Sequence, residues 1–203
     1  MQAAPKDIRI CFVGESFVNG TGDSEYLGWT GRVCQGLARR DLVVTHYNLG
    51  IRGETSAELL LRWQRECDRR LPANCDNRIV FSFGTNDTTI RDGKRRVEIP
   101  ASLQHTRTIL TTAKSNYSVM MISPGATLDP EQNARTQALS HQFAQLCAEL
   151  DIPYLDVLSP LSQSPVWMAE VAAGDGAHPD SGGYAEYARL IETWDAWNTW
   201  FDS

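Results

Sequence analysis

Five short apolar runs rich in β-branched and aromatic residues punctuate the chain, at residues 8–14 (IRICFVG), 41–50 (DLVVTHYNLG), 77–84 (NRIVFSFG), 117–123 (YSVMMIS) and 152–157 (IPYLDV). A strand buried on both faces reads as a near-continuous hydrophobic run, and a parallel neighbour needs a crossover of a dozen or more residues. The intervening segments have the length and pattern to be those crossovers. Residues 28–40 are amphipathic. Residues 55–71 open with a capping box, Thr55 facing the amide of Glu58 and Glu58 reaching back. A helix is expected over residues 100–115. Another starts at Asp129-Pro130 and sets Leu139, Phe143, Leu146 and Leu150 along one face. The last begins near Ser181 and carries Tyr184, Tyr187, Ile191, Trp194 and Trp197 at three- and four-residue spacing, a face for docking on a core. This alternation predicts a single α/β domain over residues 1–203, its parallel sheet covered by helices on both sides.

Composition narrows the function. With 42% hydrophobic and 22% charged residues, a chain of 203 can bury a core without staples. A net charge of −6 gives no domain-wide basic footprint for nucleic acid. No apolar run approaches the length of a membrane span. The N-terminal MQAAPKDIRI lacks the apolar centre of a signal peptide. Five scattered cysteines (Cys11, Cys34, Cys67, Cys75, Cys147) form no C-x-x-C pair, and fit the reduced thiols of a cytoplasmic protein.

Open parallel sheets bind ligands outside the carboxyl ends of their strands, so the loops there carry the functional reading. Ser16 follows the first strand, where a rigid strand end exposes a hydroxyl. In isolation a G-x-S is commonly a turn or a cap. Asp175 and His178 lie three residues apart before the last helix; a turn can set the carboxylate against one imidazole nitrogen and leave the other to take a proton from a serine. Asn86, after the third strand, offers a side-chain N–H. Gly53, after the second, offers an unshielded amide. With the amide of Ser16 these can form an oxyanion hole, although a turn asparagine and a turn glycine are the commoner roles. His46, His105 and His141 read as structural. Trp167 and Met168 suit either an acyl pocket or core packing. Arg91, Lys94, Arg95 and Arg96 read as a solvated charge run rather than a binding site for an anionic substrate.

Taken in order, these segments resemble the SGNH, or GDSL-type, hydrolases. Gly14-Glu15-Ser16-Phe17-Val18-Asn19-Gly20 is similar to the G-D-S-x-x-x-G block, Gly53-Glu54-Thr55-Ser56 to the second block, Gly84-Thr85-Asn86-Asp87 to G-x-N-D, and Asp175 through Pro179 to D-x-x-H-P. The resemblance implies a three-layer α/β/α sandwich around a five-stranded parallel sheet, flavodoxin-like in plan. It implies Ser16 as nucleophile, His178 and Asp175 as base and orienting acid, and an oxyanion hole from Ser16, Gly53 and Asn86, with Gly50 a weaker candidate than Gly53. The expected activity is hydrolysis of a small-molecule acyl ester through an acyl-enzyme, with neither metal nor cofactor. Glu15 departs from the pattern, standing where the family usually has aspartate.

Two other readings compete. An acyltransferase would use the same triad with an alcohol as acceptor. A phosphate- or nucleotide-binding module would exploit the glycine-rich stretch after the first strand, but neither the G-K-[ST] ending nor G-x-G-x-x-G is present.

Overall fold

The computed structural model describes residues 7–40 and 42–202. Residues 1–6, read above for a leader segment, and Asp41, taken as the start of the second strand, lie outside the described residues. Five parallel strands form the sheet: β1 (Ile8–Gly14), β2 (Val44–Gly50), β3 (Asp76–Ser82), β6 (Ser118–Ile122) and β7 (Tyr154–Leu155), in the order β2-β1-β3-β6-β7. Two further strands, β4 (Ile90–Arg91) and β5 (Lys94–Arg95), make a separate hairpin.

Alternation along β1 explains the layers. Ile8, Ile10 and Phe12 point to one face and Cys11 and Val13 to the other, and all five are buried. The first face packs against α2 (Gly28–Ala38), α8 (Pro165–Ala173) and α9 (Ser181–Glu192) through Trp29, Trp167, Tyr187 and Ile191. The second packs against α3 (Ser56–Asp68), α5 (Ile99–Lys114) and α6 (Pro130–Glu149) through Trp63, Ile109 and Phe143. Burying each such side chain contributes about 1.5–3 kcal/mol, so β1 is anchored from both sides and its end is a firm platform. This is the expected three-layer α/β fold.

The capping box at Thr55 and Glu58 forms as expected. The differences from expectation have local causes. Pro153 has no N–H to donate, and the fifth strand shrinks to Tyr154–Leu155. The final aromatic helix stops at Glu192, because Trp194 adopts an extended conformation (ψ 121°) before α10 (Asp195–Thr199). That break brings Trp200 and Phe201 over the buried Arg78 guanidinium, at 5.1 and 4.7 Å from the ring centroids. Tyr184, Tyr187, Ile191 and Trp197 are buried as expected of a docking face. The presumed loops after β1 and β3 each contain one helical turn, α1 (Ser16–Asn19) and α4 (Thr85–Thr88), and a further short helix, α7 (Leu158–Gln163), precedes α8. All five cysteines are free. Among the described residues, no helix is long and apolar enough to cross a membrane.

Candidate active site

Ser16 opens α1 directly beyond the end of β1, the second strand of the sheet. Gly14 makes that turn possible: a Cβ there would sit 1.8 Å from the Ser82 carbonyl oxygen and 2.7 Å from Val18 Cγ2. Any side chain would therefore lever α1, and Ser16 with it, off the sheet. Asn48 of β2 supports the turn from beside it, donating from Nδ2 to the Val18 carbonyl at 2.6 Å and to Thr30 Oγ1 at 3.0 Å. Nothing in the sequence reading assigned Asn48 a role; its place at the end of an edge strand, among turn residues, was the available signal.

The hydroxyl of Ser16 is 2.7 Å from Nε2 of His178, and Nδ1 of His178 is 2.7 Å from Oδ2 of Asp175. The other carboxylate oxygen of Asp175 accepts the main-chain N–H groups of Ala177 and His178, both at 2.9 Å. Partial burial pushes the Asp175 pKa upward, but the bonds from the His178 ring and from these two amides outweigh it and hold the carboxyl at about 2. A permanent negative charge thus faces the imidazole. The ring packs on Phe17, centroids 5.4 Å apart. Behind it, Gly22 (φ +93°) comes so close that a Cβ would lie 2.7 Å from the Pro179 carbonyl oxygen and 3.1 Å from His178 Cβ.

The loop between α1 and α2 is itself fastened down. Asp23 accepts the amides of Glu25, Leu27 and Gly28 and pairs with Arg32, and Tyr184 donates to the Thr21 carbonyl at 2.7 Å. The Asp23 contacts are local, within nine residues of sequence, whereas the Tyr184 bond joins segments 163 positions apart that no local pattern connects.

Across the cleft, Asn86 donates from Nδ2 to Glu15 Oε2 at 2.7 Å and to the Glu54 carbonyl at 3.0 Å, and its main-chain N–H reaches the same Glu15 oxygen at 3.3 Å. Arg62 holds the Glu54 carboxylate and also donates to the carbonyls of Gly14 and Leu49. Arg96 donates to the Gly53 carbonyl at 2.8 Å, so part of the basic run after β3 has a structural task. Asp87 accepts the Ser56 amide at 2.8 Å and the Ser102 hydroxyl, joining α4 to α3 and α5. Ser16, Asp175, His178 and Asn86 therefore meet at one end of the sheet, and Gly53 stands one residue from Glu54 in the loop that Asn86 touches. The Ser16 amide begins a helix, where the first N–H groups have no intrahelical acceptor. Gly50 is enclosed: a Cβ on it would lie 2.2 Å from the Asn19 nitrogen.

The cleft beside Ser16 and Asn86 holds about 250 Å³ and is walled by Phe17, Thr89, Thr127 and Gln132 among others. A second depression of about 480 Å³ lies on the far side of His178, towards Thr21 and Arg52. Trp167 is wholly buried, in contact with Phe17, Tyr184 and Tyr187, and so belongs to the core. His105 bonds Ser56 Oγ and His141 bonds Gln137, both outside this cleft.

Sheet order, strand-end loops and side-chain geometry together define the SGNH class of α/β hydrolytic fold. The profile of the GDSL-like lipase/acylhydrolase family matches residues 12–186, and the chain belongs to that family. Among solved structures, the lipase/acylhydrolase of Enterococcus faecalis is similar with a TM-score of 0.75 at 22% identity, over 91% of this chain and 93% of that one. The acetylxylan esterase of Geobacillus stearothermophilus is similar with a TM-score of 0.72 at 16% identity, over 94% of this chain and 96% of that one. Catalytic mutants of that esterase, with a serine, an aspartate or a histidine replaced by alanine, match with TM-scores of 0.73, 0.74 and 0.76. No curated protein matches the chain in sequence.

Proposed function

We propose that this protein is a metal-independent serine esterase that removes short acyl groups from a small-molecule ester. The observation that carries the reading is the unbroken chain from Ser16 Oγ through His178 to Asp175, two contacts of 2.7 Å opening onto a cleft. His178 takes the proton of Ser16 as its oxygen attacks the ester carbonyl, and Asp175 keeps Nδ1 protonated and stabilises the imidazolium. The amides of Ser16 and Gly53 and the side chain of Asn86 receive the oxyanion. His178 then protonates the leaving alcohol, activates water against the acyl-enzyme, and returns the proton to Ser16. The same three residue types are the ones replaced in the catalytic mutants of the acetylxylan esterase.

Cleft size supports a short acyl group. A volume of about 250 Å³ is below the roughly 300–1,000 Å³ of sites that enclose drug-sized ligands, and Thr89, Thr127 and Gln132 give it polar walls. The alcohol portion of the ester then extends outward past His178.

A series of p-nitrophenyl esters graded by chain length, with acetylated sugars beside it, tests the reading. Acetate and propionate esters turn over fastest, chelators change nothing, and a fluorophosphonate labels Ser16 once. Ser16→Ala abolishes both labelling and turnover. Preference for long acyl chains refutes the short-acyl assignment; activity lost to a chelator and restored by zinc refutes the metal-free one.

A further inference from the structure

An amide nitrogen carries two hydrogens, and both of those on Asn86 Nδ2 face protein acceptors: Glu15 Oε2 at 2.7 Å and the Glu54 carbonyl at 3.0 Å. An oxyanion must draw one of them away. The Glu54 carbonyl is a neutral acceptor of constant strength, in a segment held by Arg62 and by Arg96 at the neighbouring Gly53. Glu15 is different, because its strength as an acceptor depends on a proton. A carboxylate binds an N–H roughly twice as strongly as a neutral acceptor does.

We propose that Glu15 is a positioning residue whose protonation sets the availability of the Asn86 amide: protonated Glu15 yields the hydrogen to the oxyanion, and ionised Glu15 retains it. This rests on the serine-esterase reading above and adds a second control to it.

The surroundings of Glu15 favour the protonated form. Its side chain is 1% exposed, and Oε1 has no hydrogen-bond partner, nor does Thr85 Oγ1. A buried carboxylate with an unsatisfied oxygen is costly, and protonation removes the charge that makes it so. Burial pushes the carboxyl up to about 7; the Thr85 hydroxyl, close by though outside hydrogen-bonding geometry, and the Asn86 amides oppose that rise, and the negative charge of Asp87 adds to it. Tyr187 of α9 approaches as a neutral phenol, its own pKa raised mainly by burial. The guanidinium of Arg62, at the Gly14 carbonyl, is shared between Glu54 and Glu66. His178 and Asp175 occupy the other side of Ser16. No cation is bonded to Glu15 among the described residues.

The test is the pH dependence of kcat, with p-nitrophenyl acetate as substrate, in wild type, Glu15→Gln and Asn86→Ala. On the alkaline side wild-type kcat falls through one ionisation at about pH 7, by fivefold or more towards the roughly hundredfold loss of a whole oxyanion donor. Glu15→Gln cannot ionise, so its kcat holds a plateau on the alkaline side and exceeds wild type there, with KM unchanged. Asn86→Ala is slower at every pH and lacks the alkaline fall, since no amide remains to be captured. An alkaline fall of wild-type size in either variant, or none in wild type, overturns the proposal. If Glu15→Gln does not fold by circular dichroism, Asn86→Ala decides alone. Full activity in Ser16→Ala defeats the esterase reading itself; a dead Ser16→Ala beside an unchanged pH profile defeats only the role of Glu15.

Discussion

Asp180 accepts the main-chain N–H of Ser24 at 2.8 Å across 156 positions of sequence, tying the loop after Ser16 and α1 to the segment that carries His178. The same oxygen accepts the amide of Ser181 at the start of α9. Asp180→Ala frees both loops. Turnover is expected to fall severalfold and labelling of Ser16 by a fluorophosphonate to slow in proportion. Asp180→Asn keeps an acceptor oxygen and restores most of both. Equal rates in all three proteins would show that the tie has no bearing on the site.

Asp175→Asn preserves shape but sets an amide against the imidazole, which favours the wrong tautomer; a fall in kcat of about ten-thousandfold is expected, as for the equivalent change in a serine protease. The carboxyl also ties stability to pH. Its pKa falls from 3.8 to about 2 on folding, so its contribution is present above about pH 4 and is lost as pH drops towards 2. The melting-temperature difference between wild type and Asp175→Asn therefore narrows across that window.

Below pH 7, Asn86→Ala lowers kcat by roughly a hundred- to a thousandfold, or about 3–4 kcal/mol of transition-state stabilisation, with little change in KM. Asn86→Asp is at least as damaging, because a carboxylate there repels the developing oxyanion. Steady-state kinetics on folded protein decides: near-full kcat in Asn86→Ala reduces Asn86 to a turn residue.

For Glu15 the dependence on pH has the opposite sign to that of Asp175. Folding raises its pKa from 4.5 to about 7, so the native state binds the extra proton. Its contribution to stability is full below about pH 4.5 and is lost as pH rises through 7, a change on the order of 3 kcal/mol. Glu15→Gln removes that slope. Denaturant unfolding of both proteins between pH 4 and pH 9 measures it, and parallel curves would place the ionisation elsewhere.

The sequence disclosed most where one local rule dominated. Buried strands announced themselves by unbroken apolar runs, the capping box by its spacing, Ser16 and Asn86 by falling at strand ends, and Asp175 and His178 by their three-residue spacing before the last helix. It disclosed least where two rules competed. Asp92 and Gly93 take φ of 53° and 75° and close the β4–β5 hairpin, and Asp-Gly is a strong hairpin signal. The flanking Arg91, Lys94 and Arg95 masked it by reading as a solvated charge run. The aromatic periodicity from Tyr184 to Trp197 continues across the break at Trp194, so spacing gave no warning that the helix ends. The partners of Glu15 were beyond reach for a different reason: Asn86 lies 71 positions away, and no local pattern encodes which acceptors its amide will find.

Ser16 and His178 stand 162 positions apart, and this separation orders events during synthesis. Ser16 leaves the ribosome ahead of His178, and the four strands of the sheet that follow β1 are made in between. On the proposed mechanism, a chain not yet extended to His178 carries Ser16 without its base, and does not attack esters or acylate itself during synthesis. Onset of activity marks the docking of the last loops, which makes ester turnover a clock for the final stage of folding.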